Sequence, residues 1–400
     1  MESKKQQEVL LINGEALTGP QVVSVAREMI PVEIGKNAIE NIQLARGIIE
    51  ERFESGTPTY GINTGFGALS TTVISKEQCS QLQMNLLRSH AASVGKPLND
   101  ELVRGMMVLL IASLCRGHSG VRPIVATTLA EMLNANILPI IPSRGSVGAS
   151  GDLSPLSHLA LLLCGEGEAC LNGEKMTGKK AMAQAGITPI TPKEKEGLAL
   201  INGTHLMSAI AAIALNDITK ICETAVIATA MSIDAAKATD SFLDDRIHAA
   251  RGQGGQRTVA ETIRKYLAES TILDSHSSND PRVQDPYSFR CAPQVLGAAI
   301  EAIARVSSVI TAELGAVTDN PLVFPDSKDI VSGGNFHGMP LAIAMDELKI
   351  ALCHIAGISE RRIEWILSAR DIYNDLPPFM ASESGVESGL MISQYTAAAC

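Results

Sequence analysis

The spacing of apolar residues predicts helices over most of this chain. Shorter helices are predicted over 36–52, within 76–138, and over 156–164. Much longer ones are predicted over 201–240, 294–317 and 340–367. These far exceed the usual helix of roughly three to four turns. Long helices with few interruptions are typical of an antiparallel bundle.

Extended segments and glycine-rich loops interrupt the helical pattern in the first half of the chain. Residues 8–12 and 20–24 are predicted to be short strands. Residues 56–67 and 144–152 are so rich in glycine that both are predicted to be loops. Polar side chains gather in these loops, so they are the places to look for chemistry.

The two patterns together predict a mostly α protein in two parts. We expect a mixed N-terminal region over 1–197 that carries the active-site loops, and a long antiparallel helical bundle over 198–400. The last stretch, 388–400, has the pattern of another core helix.

Composition narrows the choice of function. The net charge of −10 argues against nucleic-acid binding, which needs a basic face. The eight cysteines form no CxxC pair, so we expect reduced thiols and no metal site. The N-terminus lacks an apolar leader and the longest apolar run, 106–115, is too short to span a bilayer. These features predict a cytoplasmic protein.

The loop Gly148-Ala-Ser-Gly-Asp152 is open to several interpretations. A serine-hydrolase elbow needs glycine two positions after the serine, and Asp152 stands there instead. A phosphate loop needs a Gly-Lys-Ser/Thr ending, which is missing. Ser150 or Asp152 is also suited to cap the helix that follows.

Internal cyclisation of Ala149-Ser150-Gly151 is the remaining chemical possibility. The amide nitrogen of Gly151 attacks the carbonyl carbon of Ala149 and water is lost. Ser150 then loses its hydroxyl to become a dehydroalanine. The product, 4-methylidene-imidazol-5-one (MIO), is a strong electrophile. Gly151 suits this reaction because it has no side chain to block its nitrogen and tolerates unusual dihedral angles.

The chain resembles the histidine and phenylalanine ammonia-lyase family. The stretch Gly145–His158 is similar to the family signature, and further family motifs follow the family order along the chain. They are Tyr60-Gly-Ile-Asn-Thr-Gly-Phe-Gly67, Arg88-Ser-His-Ala-Ala92, Gly197-Leu-Ala-Leu-Ile-Asn-Gly-Thr204, Val283-Gln-Asp-Pro-Tyr-Ser-Phe-Arg-Cys291, Thr318-Asp-Asn-Pro-Leu322 and Gly334-Asn-Phe-His-Gly338.

The resemblance implies a fold, an assembly and a reaction. The fold is the helical one of the fumarase and aspartase superfamily, and the assembly is a homotetramer whose active sites are shared between subunits. The reaction is elimination of ammonia from an aromatic amino acid by MIO formed autocatalytically from Ala149-Ser150-Gly151. The closest resemblance is to histidine ammonia-lyases, which convert L-histidine to trans-urocanate.

The resemblance also implies roles for single residues. Tyr60 is the expected base, Tyr287 the second catalytic tyrosine, and Ser150 the source of the electrophile. The expected substrate-binding residues are Gly67, His90, Asn202, Gln284, Arg290 and Phe336. Arg290 is the expected clamp on the substrate carboxylate, since its planar fork binds bidentately. From the residues alone, Tyr60 is favoured as a surface-loop tyrosine and Arg290 as a surface ion-pairing residue, and Asn202 is suited to a helix cap or turn.

The substrate is predicted from His90, with two alternatives left open. Ser89-His90 resembles histidine lyases, whereas phenylalanine lyases carry an apolar pair. Gly338 and Pro286 depart from the usual histidine-lyase pattern, which keeps open a tyrosine or phenylalanine ammonia-lyase or aminomutase. Family members continue beyond the point equivalent to Cys400, so the other alternative is a truncated, non-catalytic relative that acts only in subunit association.

Overall fold

A computed structural model describes residues 8–65, 67, 72–278, 280–370 and 376–400. The protein is mostly helical, which confirms the predicted fold class. The α-helices α1 to α16 of the described residues span Gly19–Arg27, Lys36–Glu54, Cys79–His90, Asp100–Cys115, Pro123–Asn134, Leu153–Leu163, Gly178–Gln184, Glu196–Ile201, His205–Ala235, Asp245–Arg251, Gly254–Leu267, Thr271–His276, Tyr287–Arg290, Ala292–Leu314, Met339–Leu367 and Met391–Ala399. The strands β1 to β9 span Leu10–Ile12, Val32–Ile34, Val94–Pro97, Ile137–Pro139, Pro142–Arg144, Glu168–Leu171, Glu174–Thr177, Leu322–Phe324 and Asp329–Val331.

The chain forms two compact units. The first, called here the loop unit, comprises Met1–Asn216 and Val309–Ile343. The second, called here the helical unit, comprises Asp217–Ser308 and Ala344–Cys400. Each unit contains two separate stretches of chain. The division at residue 197 that the sequence suggests remains a prediction.

The core of the loop unit is built around α4. This helix is apolar on all sides, and every residue from Val103 to Cys115 is buried. It packs against α1 and α5, while α6 packs against α3 and α8. Strand β5 pairs antiparallel with β3 and leads directly into the glycine-rich loop at 145–152. The β3–β5 pair and helix α6 therefore hold the two ends of that loop.

The sequence prediction is wrong for residues 20–24, which lie in helix α1 rather than in a strand. Thr18 and Gln21 form a reciprocal capping box, and Pro20 occupies the first turn. These starting signals, together with packing on α4, outweigh the β-branched valines. The helix predicted over 36–52 is confirmed as α2. The stretch at 388–400 does contain a helix, α16, but none of its residues is buried.

The helical stretch Tyr287–Leu314 is long and apolar enough to cross a membrane by length and composition, and a third of its most apolar window is buried. Arg305 on this stretch forms an ion pair with Glu347 of α15 at 2.6 Å. A charged residue within a membrane span is costly, and long apolar helices are also typical of bundle cores. We therefore do not assign this stretch as a membrane span.

Candidate active site

The loop at 145–152 is folded back on itself at the predicted cofactor-forming tripeptide. Backbone bridges join Gly148 and Ala149 to Gly151. Gly148 and Gly151 have φ angles of +71° and +70°, in the left-handed region that favours glycine. Ser150 is exposed at the tip. The fold thus brings the two ends of the tripeptide together while the serine hydroxyl stays accessible.

The turn at Gly203 forms a closely fitting support beneath this loop. The amide of Asp152 donates to the carbonyl oxygen of Gly203 at 2.7 Å, and a bridge joins Gly151 to Gly203. A Cβ atom on Gly151 would lie 2.3 Å from the Gly203 oxygen and 3.0 Å from the Phe336 oxygen. Backbone cannot yield to such contacts, so only glycine fits at 151.

Asp152 attaches the loop to a distant helix. It is the N-cap residue of α6, but its side chain does not cap that helix, contrary to the local prediction. Its Oδ2 instead accepts from the amides of Leu206 and Met207, at 2.9 and 3.0 Å, in the first turn of α9. Burial raises the pKa of Asp152 above its ordinary value, and these hydrogen bonds oppose that change.

Ser146 and Gly338 brace the loop from its other side. The Ser146 hydroxyl donates to Asp152 Oδ1 at 2.7 Å and accepts from the Gly148 amide at 3.3 Å. The amide of Gly338 donates to the carbonyl oxygen of Gly148 at 2.8 Å. These bonds fix Gly148 and Asp152, the residues on either side of the tripeptide.

A cavity of about 460 Å³ opens beside the loop within the same unit. Its walls include Val147, Ala149, Met207 and His337. The volume is within the range expected for a site that binds a small molecule. Ala149 therefore faces open space and not the core.

Asn202, predicted to bind substrate, directly precedes the Gly203 turn and is buried. Its Nδ2 donates to the carbonyl oxygen of Asn320 at 2.9 Å and to Asp319 Oδ1 at 3.4 Å. Asn202 is thus at the end of α8 rather than capping α9, and its side chain is held by a neighbouring loop.

The remaining predicted residues of the loop unit lie on two other segments. Tyr60 is half-buried in a turn whose next residue, Gly61, packs against Leu198 of α8. Gly67 is exposed and has a φ of +56°. His90 ends α3, and its Nδ1 lies 2.9 Å from the carbonyl oxygen of Leu86.

The chain after His90 leads to the cofactor loop. The amide of Ala92 donates to the Ser154 hydroxyl at 3.1 Å, and the hydroxyls of Ser93 and Ser154 lie 2.7 Å apart. A Cβ atom on Gly145 would lie 2.1 Å from Ser93 Oγ. His90 therefore precedes Ala92 and Ser93 by two and three residues. These two residues contact Ser154, just after the loop, and Ser93 also lies against Gly145 at its start.

Gln284, Tyr287 and Arg290 form a cluster in the helical unit. With its amide oxygen turned toward Arg290, Gln284 accepts from Nε at 3.2 Å, from Nη1 at 3.1 Å and also from Nη2. The guanidinium carbon lies 5.7 Å from the centre of the Tyr287 ring. A hydrogen bond with the side chain of Cys291 raises the pKa of Tyr287, so this phenol keeps its proton at neutral pH. Tyr287 is 71% exposed.

Asp285 anchors this cluster at its base. The buried carboxylate accepts from the Thr239 amide at 3.1 Å and from the Thr239 hydroxyl. Its carbonyl oxygen accepts from Arg290 Nε at 2.7 Å. The guanidinium is therefore held by Asp285 and Gln284, and Arg290 is half-buried.

Sequence reasoning missed the residues that shape the support around the loop. Met207 packs against both Gly148 and Gly338, and His205 packs against Gly203. Burial lowers the pKa of His205 to about 4, so its ring is neutral at pH 7. Their only signal in the sequence is proximity to Asn202-Gly203, which does not say which segment they touch.

The family model for aromatic amino acid lyases matches residues 17–400. The chain belongs to the aromatic amino acid lyase family. Among curated relatives, this lyase is 46% identical to histidine ammonia-lyase of Treponema denticola over 387 residues, which cover 97% of this chain and 76% of the relative. The family resemblance inferred from separate motifs is therefore confirmed.

Solved structures of the family have the same fold. Histidine ammonia-lyase from Trypanosoma cruzi matches with a TM-score of 0.88 and 41% identity, over 98% of this lyase and 73% of that chain. Phenylalanine aminomutase from Pantoea agglomerans matches with a TM-score of 0.90 and 32% identity, over 98% and 78%. The backbone is thus shared by lyases and aminomutases, and substrate choice depends on side chains.

Proposed function

We propose that this lyase eliminates ammonia from L-histidine and yields trans-urocanate. The observation that carries the proposal is identity of 43–46% to several curated histidine ammonia-lyases over nearly the whole chain. The identity to the Pantoea phenylalanine aminomutase is lower, at 32%. The predicted loop, its support and the arginine cluster are all present in the chain.

We further propose that Ala149-Ser150-Gly151 cyclises to MIO. The folded-back tripeptide, the positive φ of Gly151 and the exposed hydroxyl of Ser150 all suit that reaction. Any side chain at 151 would collide with Gly203, and the hydrogen bonds to Asp152 and Gly148 restrict the loop before any bond forms. When formed, MIO supplies an electrophile that makes the substrate amine a better leaving group.

The chain's own residues then have separate tasks. Arg290 binds the substrate carboxylate through the N–H groups of its guanidinium. Tyr60 takes the β-proton as base, and Tyr287, which keeps its proton, acts as a donor. Gly67, Gln284 and Phe336 complete the substrate-binding surface. Asn202, which directly precedes the Gly203 turn, also binds the substrate.

His90 selects the substrate ring. With a proton on Nδ1, the imidazole donates to the Leu86 carbonyl and leaves Nε2 as an acceptor. An acceptor suits the N–H of a substrate imidazole, and phenylalanine has no such group. A hydrogen bond from the substrate imidazole to His90 Nε2 therefore supports histidine as the substrate.

Gly338, which departs from the usual histidine-lyase pattern, has a packing explanation. A Cβ atom there would lie 2.8 Å from Met207 Sδ and 3.1 Å from the Gly148 oxygen. Glycine at 338 therefore avoids crowding with Met207 and with the Gly148 backbone, and does not by itself indicate an aminomutase.

We also propose a cytoplasmic homotetramer. Exposed apolar side chains line the long helices, among them Met231 of α9 and Ile343 and Ile350 of α15. Apolar surface of this kind is typical of subunit interfaces. Chromatography with light scattering tests the assembly.

A substrate screen tests the function directly. The protein is incubated with histidine, tyrosine and phenylalanine, and the products are identified by absorbance and mass. Urocanate from histidine, formed fastest of the three, is the expected result. A β-amino acid product would indicate an aminomutase, and intact tetramers without any activity would indicate a non-catalytic relative.

A further inference from the structure

Three consecutive residues at the start of α8 each form an ion pair with a different part of the loop unit. Glu194 pairs with Arg46, Lys195 with Asp319, and Glu196 with Arg122. Lys195 and Glu196 are completely buried. Because α8 ends at Asn202, this segment sets the position of the residue predicted to bind substrate.

One of these pairs touches Asn202 itself. Lys195 Nζ donates to Asp319 Oδ2 at 2.6 Å, and Asp319 Oδ1 accepts from Asn202 Nδ2 at 3.4 Å and from the Asn320 amide at 2.6 Å. Asp319 is buried, and its carboxylate forms an ion pair with the Lys195 ammonium. An ionised carboxylate can only accept hydrogen bonds.

The orientation of the Asn202 amide follows from this contact. Its two neighbours, Asp319 Oδ1 and the Asn320 carbonyl oxygen, are both acceptors, so the NH₂ group must face them. In the part of the chain that the structure describes, no donor is recorded on Asn202 Oδ1. The amide therefore offers a ligand an acceptor.

We propose that the buried Lys195–Asp319 pair is a positioning pair that fixes the Asn202 amide with Oδ1 toward the ligand. Asn202 then accepts a hydrogen bond from the substrate amine and does not bind the substrate carboxylate. This inference rests on the proposed function. It separates two tasks between two residues, since Arg290 then binds the carboxylate alone. Lys195 and Asp319 touch no substrate in this scheme and act through Asn202.

The test neutralises the pair and compares it with a matched control. In Lys195→Met/Asp319→Asn both charges are lost at nearly constant volume, and residue 319 can present either a donor or an acceptor to Asn202. In Arg122→Met/Glu196→Gln the neighbouring pair is neutralised without touching Asn202. The single variant Asp319→Asn carries the same expectation as the first double variant and replaces it if that variant does not fold.

We expect kcat/KM for histidine to fall about 10-fold to 100-fold in the first variant. The mature chain of this variant should still be lighter than its sequence mass by two waters. The control variant should stay within about threefold of the wild type. In an Asn202→Ala background, neutralising Lys195 and Asp319 should add less than about threefold, because the pair acts through the amide.

Two results would overturn the inference. One is a folded, neutralised variant with wild-type kcat/KM. The other is an equal loss with and without Asn202, which would show that the pair acts elsewhere. Melting temperatures of the same Asp319 and Asn202 variants measure their coupling without any activity. A wild type inactive on every amino acid would overturn the proposed function, whereas an active wild type without such coupling would overturn this inference alone.

Discussion

The cofactor loop and the arginine cluster are held in opposite ways. Residues 145–152 are fixed by bonds to Gly203, α9 and Gly338, and Gly151 and Asp152 are buried. The cluster of Gln284, Tyr287 and Arg290 is held at its base through Asp285, and Tyr287 is largely exposed.

The difference shows which task each region must perform. A tripeptide that cyclises needs its atoms close together before reaction, so the fold restricts it from several sides. A residue that binds a carboxylate needs N–H groups that a ligand can reach, and Arg290 is only half-buried. The cluster is the region whose surroundings another subunit would complete in the proposed tetramer.

The largest effect is expected for Ser150→Ala, which separates chemistry from packing at the loop. Ser150 is exposed, so the variant should keep its helical content and melting temperature. Without the hydroxyl no dehydroalanine forms, and activity should fall by about 10³-fold or more. Intact mass should show a chain that has not lost two waters.

The exposed Ser327→Ala variant serves as the control and should match the wild type in mass and rate. Active wild-type protein with the full, unmodified mass would contradict the cofactor proposal.

Arg290→Lys tests whether the guanidinium fork binds the substrate carboxylate. Lysine keeps the charge but loses the fork. The transition state should lose a few kcal/mol of stabilisation, so kcat/KM should fall about 100-fold. Arg305→Lys is the matched control, since Arg305 forms an exposed ion pair on α14. Near-normal kinetics for Arg290→Lys would make Arg290 a structural residue.

His90→Phe tests whether the segment beside the loop selects the ring. We expect kcat/KM for histidine to fall about 10-fold, because the substrate N–H loses its acceptor. The rate with phenylalanine should stay the same or rise. Equal losses for both amino acids would mean that His90 only supports α3.

The smallest effect is expected in the pH dependence of Asp152→Asn. Because burial raises the pKa of Asp152 in the folded state, the protonated form favours folding, and this contribution is lost as pH rises through the raised pKa. The free energy of unfolding of the wild type should therefore fall over that pH range. Asparagine does not titrate, so the variant should lack this slope.

Melting temperatures of the wild type and the variant, measured between about pH 4 and pH 8, check that expectation. Identical slopes for the two proteins would mean that hydrogen bonds to Leu206 and Met207 fully offset the burial of the carboxylate.

Periodicity predicted the helices well but failed where local signals compete. The long stretches became α9, α14 and α15 because their apolar faces persist over many turns. At 20–24 the valines suggested a strand, and the capping box at Thr18 decided for a helix. Capping geometry acts over a single turn, so a pattern averaged over many residues does not detect it.

The sequence by itself determined the family, the tripeptide and the residue types of the site, since these depend on covalent chemistry and on motifs in a fixed order. Only the tertiary structure decided that Asp152 caps α9 rather than its own helix, that Gly203 supports Gly151, and that Lys195 and Asp319 hold Asn202. Each of these contacts joins residues about 50 or more positions apart. No local pattern specifies such partners, because they depend on how the packed core brings separate segments together.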